Sequence, residues 1–290
     1  LVTRKDLASY KALVRKPMLL QSAGFTIALT PPPSVGGAML GSMIRLYASE
    51  FGNISSEAEK VLLKSKIQRM MFSLRQDQSK TGLSEERIRK VLTIDWLKKY
   101  MDKLFSPSTN HLSFATDDGA VVSITMSNGY GSGITVPGTG ITFNNSVGEP
   151  ELNPQGSFQI SPGGRFVSNM CPITAYNDRG TTIAMGSPGA SRITTSLFQG
   201  WVNWAIEGMD AKSATTAPRF HVDRVGGFFT LQHEPGVDTS LARKLFRLRA
   251  FDGPDMYFGA LNIAGRDETG ALFVSADKRR HGAELVKQIE

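Results

Sequence analysis

The chain has 290 residues, 40% of them hydrophobic and 20% charged, which is the composition of a globular protein with a buried core. Its single cysteine, Cys171, excludes a disulfide scaffold. The formal charge is +7, but no long run of Lys and Arg accompanies it, so we expect a solvated basic surface and no nucleic-acid partner.

The first fifty residues predict a helix, a strand and a second helix. Thr3 is a suitable N-cap for a polar helix, with Asp6 in the first turn. Alternating apolar residues from 25 to 29 predict a strand that ends at the prolines 31–33. Apolar residues between 39 and 47 then follow helical spacing.

Residues 55–104 have helical periodicity, with a new helix starting at Ser84. No apolar run approaches the roughly 20 residues that span a bilayer, so no membrane span is expected. The sequence begins at Leu1 in the middle of a pattern. We therefore expect an N-terminal portion to be missing, and the sequence leaves a signal peptide and the cellular location open.

The pattern changes from helical to alternating after residues 106–108. Apolar residues alternate at 112–114 and again at 122–126, on either side of a tight turn at 117–119, which predicts a β-hairpin. The stretch from 128 to 164 is rich in Gly, Pro and Asn. Because it is too long for a simple connection, it is expected to be functional or to hold short strands.

A second hairpin is predicted to pair residues 173–176 with 182–185 and to run into the turn 186–192 and a helix. Backbone N–H groups at a helix N-terminus favour an anion, and two of them at a developing oxyanion would each contribute about 3 kcal/mol. A plain strand–helix connection is the alternative for this turn. A phosphate loop is excluded because the motif G-x-x-x-x-G-K-[ST] is absent.

Thr109 opens the first predicted hairpin and follows a segment that is easy to cleave, Ser106-Pro107-Ser108. Taken alone, it is an ordinary β-branched strand residue. Cleavage after Ser108 would give it a free α-amine with a pKa near ~7.7–8, which can accept the hydroxyl proton at neutral pH. Such a nucleophile needs no Ser-His-Asp set, and none of the four histidines lies in a G-x-S-x-G or H-E-x-x-H motif.

Polar residues crowd the loops between the hairpins: Asn128, Asn144, Asn145, Glu149, Ser168 and Asn169. Loops held by a rigid sheet are common places for substrate recognition, whereas Asn and Ser also favour ordinary turns. The residues alone leave both interpretations open.

Several motifs follow one another along the chain: T-N-H-L-S at 109–113 with D-G at 118–119, G-S-G at 131–133, V-P-G-T-G-I at 136–141, N-N at 144–145, S-N-M-C-P at 168–172, G-S-P-G-A-S-R at 186–192 and A-P-R-F-H at 217–221. Together they resemble the small subunit of the γ-glutamyltransferases (γ-glutamyltranspeptidases), which are N-terminal nucleophile hydrolases. Upstream, residues 6–10, 15–17 and 31–37 resemble the last third of the large subunit of that family.

The resemblance implies an α+β fold, a four-layer αββα sandwich of the N-terminal nucleophile hydrolase type, whose N-terminal large-subunit portion is absent here. It implies two regions. Residues 1–108 would be the mostly helical C-terminal part of the large subunit, and residues 109–290 the small-subunit catalytic region that begins at the nucleophile. The absent portion is thus an expected partner, and a homo-oligomer stays open.

The resemblance also implies the site residues. Thr109 would be the nucleophile, exposed by autocatalytic cleavage of the Ser108–Thr109 bond, and Ser127 stands where the family has a threonine that holds the nucleophile. The backbone N–H groups of Gly189 and Ala190 would form the oxyanion hole. The implied substrate-binding residues are Asn128, Asn145, Glu149, Ser168 and Asn169. No metal or other cofactor is implied, and the arginine that binds the substrate α-carboxylate belongs to the absent portion.

The implied activity is transfer or hydrolysis of a γ-glutamyl amide such as glutathione through an acyl-enzyme. A related acylase acting on a non-glutamyl amide, and an unprocessed inactive chain, are the alternatives. Glu149 stands where the family has Asp, and Ala190 where it has Gly. These two differences bear on substrate specificity rather than on the acyl-transfer chemistry.

Overall fold

The computed structural model of the protein describes residues 3–81, 109–129, 131–149, 161–165 and 167–287. The helices are α1 (Arg4–Ser9), α2 (Gly36–Glu50), α3 (Glu57–Thr81), α4 (Ile193–Trp201) and α5 (Ala211–Thr216). The strands are β1 (Met18–Ser22), β2 (Phe25–Leu29), β3 (Asn110–Ala115), β4 (Val121–Met126), β5 (Ile173–Tyr176), β6 (Thr182–Gly186), β7 (Phe220–Val225), β8 (Phe228–His233), β9 (Arg247–Ala250), β10 (Asn262–Arg266) and β11 (Leu272–Ala276).

The locally encoded elements agree with the sequence. Helix α1 begins with a reciprocal capping box, in which the Asp6 N–H donates to Thr3 Oγ1 at 3.2 Å and the Thr3 N–H donates to Asp6 Oδ2 at 2.7 Å. The predicted hairpins are the pairs β3–β4 and β5–β6. The helix predicted from Ser84 lies outside the described residues. Among the described helices, none is both long enough and apolar enough to cross a membrane.

A six-stranded antiparallel sheet forms the centre of the described chain, in the order β1-β2-β5-β6-β10-β11. Strand β1 is not predicted from the sequence, and it pairs along its whole length with β2. Strands β1 and β2 precede residue 108 and the other four follow it. One sheet therefore contains strands from both of the regions that the sequence predicts.

Helices α2 and α4 cover one face of this sheet with a continuous apolar core. Ile27 of β2 and Ile183 of β6 are fully buried beneath them, and Trp201 packs edge-on against Phe25 with 5.7 Å between ring centroids. Burial of one such side chain stabilises the fold by roughly 1.5–3 kcal/mol. A second apolar cluster joins α3 to the three-stranded sheet β7-β8-β9. The predicted α+β class is confirmed.

A buried ion pair joins three helical segments beside the core. Lys64 of α3 contacts Glu207 Oε1 at 2.8 Å, and the Tyr47 hydroxyl of α2 donates to the same oxygen at 2.6 Å. The Glu207 side chain is only 3% exposed. Burial by itself raises the pKa of the Glu207 carboxyl, but the Lys64 ammonium and its hydrogen bonds hold that pKa below its usual value. The carboxylate is therefore charged, and it is paired with the Lys64 ammonium and the Tyr47 hydroxyl.

Replacement of Glu207 by glutamine should lower the free energy of unfolding by about 3 kcal/mol, because it leaves the Lys64 ammonium buried without its counter-ion. Urea denaturation measures this change. The control is Glu268→Gln, which removes an ion pair with Arg179 whose side chains are 52% and 74% exposed and which should change stability by less than about 1 kcal/mol. Equal effects of the two substitutions would contradict the assignment.

The hairpin β3–β4 packs on the opposite face of the six-stranded sheet, against β6 and β10. Its polar side chains face the sheet: Ser123 Oγ donates to the Met185 carbonyl at 3.0 Å. Its apolar face points away from the sheet and carries Leu112, Phe114, Val122, Ile124 and Met126, which are 39% to 51% exposed. The described residues thus leave the outer face of the second sheet layer uncovered.

Candidate active site

Thr109 directly precedes β3 and Ser127 directly follows β4, so the register Asn110↔Met126 makes them the next positions outward at the open end of the hairpin. His111 faces the six-stranded sheet. The two-residue period of a strand places Thr109 and Ser127 on that same inner face. Ser127 Oγ accepts a hydrogen bond from the backbone N–H of Gly129 at 3.0 Å. Ser108 lies outside the described residues.

Three of the predicted substrate-binding residues cluster beside Ser127. The N–H of Asn145 donates to the carbonyl of Asn128 at 3.3 Å. Gly129 lies so close to the other two side chains that a Cβ atom on it would be 2.3 Å from Glu149 Oε1 and 2.4 Å from Asn145 Oδ1. The Glu149 side chain is buried. This places a carboxylate and an amide next to the end of the hairpin.

Ser168 and Asn169 lie against the N-terminus of α2. The Ser34 hydroxyl donates to the carbonyl of Ser168 at 3.1 Å. A Cβ atom on Gly36 would be 2.2 Å from the carbonyl oxygen of Asn169, so glycine is required there by close approach. Asn169 Oδ1 is buried and has no hydrogen-bond partner in the described part of the chain, which is an uncommon arrangement that suits a ligand contact.

The turn between β6 and α4 has an unusual backbone. Gly189 has φ +123° and Ala190 has φ +57°. The left-handed region costs a non-glycine residue roughly 1–2 kcal/mol, so Ala190 is held there by its surroundings. A Cβ atom on Gly189 would be 2.8 Å from the Cα of Gly259. The Ser187 hydroxyl accepts from the Ala260 N–H at 3.1 Å, which ties the turn to the segment before β10.

His111 connects the hairpin with the strand that leads into this turn. Its imidazole lies against Gly186, the last residue of β6. Its Nδ1 is 2.8 Å from the hydroxyl of Thr125 and its Nε2 is 2.9 Å from the hydroxyl of Ser113. Burial lowers the pKa of His111 to about 4, so the ring is neutral at physiological pH. Strand β3, which Thr109 directly precedes, is thereby fixed to β6, which ends just before the turn.

The stability of the chain should fall on acidification because of His111. Its pKa is about 4 when folded and 6.5 when exposed, so between these values the unfolded chain binds a proton that the folded chain does not. The free energy of unfolding should therefore decrease by up to about 3 kcal/mol as the pH falls from 6.5 to 4. Thermal denaturation across this range measures the slope, which His111→Gln should reduce. His281→Asn, at an exposed histidine, is the matched control for the loss of an imidazole.

Sequence reasoning names Thr109, the loop residues and the turn, but assigns no role to His111. A signal for it exists in the sequence, since polar residues alternate with the apolar ones along both strands of the hairpin. Among the described residues, no group of three or more His, Cys, Asp and Glu side chains is arranged to hold a metal ion.

A protein-family model described as gamma-glutamyltranspeptidase matches residues 1–286. The "Glutathione hydrolase proenzyme" of Bacillus subtilis (strain 168) is 26% identical over 328 residues, which cover 98% of this chain and 55% of that protein. The "Acylase ACY 1 proenzyme" of Pseudomonas sp. (strain SE83) is 27% identical over 266 residues, which cover 84% and 47%. The chain therefore spans about half the length of these curated relatives.

Two solved structures have a similar fold. Cephalosporin acylase from Bacillus halodurans superposes with a TM-score of 0.77 at 20% identity, covering 100% of this chain and 56% of that chain. The γ-glutamyltranspeptidase from Pseudomonas nitroreducens complexed with L-DON superposes with a TM-score of 0.52 at 26% identity, covering 61% of this chain and 99% of that chain. The likeness to the acylase concerns the fold alone.

Proposed function

This chain belongs to the γ-glutamyltranspeptidase family, and from that premise we propose that cleavage before Thr109 creates an amide-cleaving N-terminal nucleophile. The observation that carries the proposal is the position of Thr109. It directly precedes β3, opposite Ser127 when the register of the hairpin is extended by one pair, and β3 contacts β6, which ends just before the Gly189–Ala190 turn. The proposed nucleophile, the hydroxyl of Ser127 and the backbone donors of the turn are thus linked through the contact between the hairpin and β6.

The chemistry follows from these groups. The α-amine of a processed Thr109 takes the proton of the hydroxyl, whose oxygen attacks the substrate carbonyl carbon. The negative charge that develops on the carbonyl oxygen is stabilised by the N–H groups of Gly189 and Ala190. The proton then passes to the departing amine, and an ester-linked acyl-enzyme remains. Water, or the amine of an acceptor, attacks this ester and restores the free hydroxyl.

We propose a γ-glutamyl amide as the substrate. The buried Glu149 carboxylate, beside Asn145, offers a partner for the α-ammonium group of a γ-glutamyl substrate. The Ser168 hydroxyl and the side-chain N–H groups of Asn169 are proposed to donate to its α-carboxylate, with an arginine supplied by a further part of the protein. Two of the relatives named above, one a glutathione hydrolase proenzyme and one a γ-glutamyltranspeptidase, agree with this choice.

Processing at residue 109 has independent support. The curated relatives carry the name proenzyme, which denotes a precursor. The match to the γ-glutamyltranspeptidase structure covers nearly all of that chain but only 61% of this one, a share close to that of residues 109–290. This agrees with a boundary at Thr109 between regions 1–108 and 109–290.

The uncovered apolar face of the hairpin supports a missing partner portion. Five large apolar side chains stand in a continuous layer on strands β3 and β4. The relatives are about twice as long as this chain. We propose that the additional polypeptide covers this face as the fourth layer of the sandwich, and that residues 1–290 alone have little activity.

The test uses the full-length protein. Mass spectrometry after incubation should find two pieces divided at Thr109, and the processed protein should release the chromophore from a γ-glutamyl anilide. A protein that stays in one piece, with no turnover, would favour the unprocessed inactive chain instead. Activity appearing only in the uncut form would also overturn the proposal.

An acylase acting on a non-glutamyl amide is the second candidate. It is favoured by the acylase proenzyme among the relatives and by Glu149, which is one methylene longer than the Asp of the family and shifts the ammonium partner. Parallel assays with γ-glutamyl anilide and with amides that lack the α-amine separate the two. Faster release from the second set would replace the γ-glutamyl assignment while leaving the nucleophile in place.

A further inference from the structure

Three residues form the contact between β3, which follows Thr109, and β6, which leads into the Gly189–Ala190 turn. They are His111, Gly186 and Asn262. Asn262 of β10 is paired with Gly186 of β6 in the sheet. The Asn262 side-chain amide donates to the backbone carbonyl of His111 at 3.2 Å, and the Ser113 hydroxyl donates to the backbone carbonyl of Asn262 at 3.3 Å. The imidazole of His111 covers Gly186. We call these three residues the hairpin joint.

Gly186 is required by close approach and not by its backbone angles. A Cβ atom on this residue would lie 1.9 Å from Cε1, 2.2 Å from Nδ1 and 2.3 Å from Nε2 of the His111 ring. Its φ is not among the positive values of the described glycines, so alanine could adopt its conformation. The ring therefore rests directly on the backbone at the end of β6, and any larger residue would push the hairpin away.

The imidazole has little freedom to move within the joint. Both ring nitrogens contact hydroxyl groups, one from each strand of the hairpin. Because the Ser113 hydroxyl donates its proton to the Asn262 carbonyl, the Nε2–H of the neutral ring donates to Ser113 Oγ, and Nδ1 accepts from the Thr125 hydroxyl. The ring is thus held in place by the hairpin on its edges and by the sheet on its face.

The hairpin joint lies close in the chain to both proposed catalytic groups. His111 is two residues after Thr109, and Gly186 is three residues before Gly189. Thr109 directly precedes β3, and the turn is tied to the segment before β10 by the hydrogen bond from the Ala260 N–H to the Ser187 hydroxyl. A shift at the contact of His111 with Gly186 would therefore change the separation of the nucleophile and the turn. A displacement of about 1 Å at a reacting group is enough to slow a reaction by roughly 100-fold.

We propose that His111 is a positioning residue, which fixes the distance between the Thr109 hydroxyl and the N–H groups of Gly189 and Ala190 by resting on Gly186. The inference rests on the proposed function, in which these groups act together. It assigns to His111 neither proton transfer nor contact with the substrate.

The test is a double-mutant cycle in the full-length protein with His111→Ala, Gly186→Ala and the double variant. In the presence of His111, Gly186→Ala should lower kcat per cleaved molecule at least about tenfold and change KM less than about threefold. In the His111→Ala background the same substitution should have no further effect, because the ring that it displaces is gone. Gly253→Ala, at a half-buried glycine with open space around it, is the matched control.

The outcomes separate a positioning role from a packing role. If Gly186→Ala lowers only the melting temperature, or lowers kcat equally in both backgrounds, the proposal is overturned. Crystal structures of wild type and Gly186→Ala measure the distance from Thr109 Oγ to the two turn amides directly, and an unchanged distance also overturns it. This readout does not depend on turnover, so an inactive wild-type protein would contradict the proposed function and leave the joint to be judged by the distance.

Discussion

Replacement of Thr109 by alanine should leave the protein in one piece and reduce amide turnover by at least about 10⁴-fold. It removes the hydroxyl that we propose attacks both the preceding peptide bond, in autocatalytic cleavage, and the substrate amide. The fold should persist, because Thr109 is only half-buried and lies just outside β3. Mass spectrometry reports the cleavage, and release from a γ-glutamyl anilide reports the turnover. Both losses should occur together.

Thr109→Ser is the informative control. Serine keeps the hydroxyl but lacks the methyl group that restricts the χ1 rotamer of threonine, so the nucleophile spends less time in the reactive orientation. This variant should still be cleaved and still turn over substrate, more slowly than wild type. Cleavage of Thr109→Ala at the same bond would show that a group other than this hydroxyl attacks, and would sink the N-terminal nucleophile assignment.

A pH profile adds a second test of the same group. The free α-amine of a processed chain has a pKa near ~7.7–8, and only its unprotonated form can accept the hydroxyl proton. Turnover of the processed protein should therefore rise with pH through this range. Buried His111 cannot produce such a rise, because its pKa of about 4 keeps it neutral throughout.

The elements predicted correctly are those in which neighbouring residues contain all the information. The capping box of Thr3 and Asp6 and the turns of both hairpins depend on residues a few positions apart. Strand β1 is absent from the prediction because Leu19 is apolar yet 59% exposed, which breaks the alternation that identifies a half-buried strand. Its pairing with β2, and not its pattern, makes it a strand.

The candidate site likewise has parts that can be predicted from the sequence and one part that cannot. The Gly-rich turn and Thr109 are recognisable because their residue types have special backbone or chemical properties. The hairpin joint is not, since the requirement for Gly186 arises from a histidine 75 positions earlier in the chain. The inward polar face of the hairpin also reverses the usual rule that apolar residues face the core. It can be recognised only when the sheet beneath it and the uncovered outer face are both known.

Replacement of Gly189 by alanine should lower kcat by about 10²–10³-fold, which is the loss observed when one oxyanion donor is displaced. Two independent effects act on the turn. The φ of +123° is unfavourable for any residue with a Cβ atom, and that atom would lie 2.8 Å from the Cα of Gly259. The turn must move, and the N–H groups at 189 and 190 move with it. Steady-state kinetics on the processed protein measures the change.

The neighbouring substitution, Ala190→Gly, should by contrast have little effect on turnover. It keeps the backbone N–H and removes the Cβ atom from a residue with φ +57°. Turnover should stay within about threefold of wild type, and the free energy of unfolding should be unchanged or higher by up to about 1 kcal/mol, because relief of strain offsets the greater freedom of glycine in the unfolded chain. If Gly189→Ala retained full kcat and Ala190→Gly lost it, the oxyanion donors would not be the N–H groups of this turn. The substitution that distorts the backbone would then be harmless, and the one that preserves it would not.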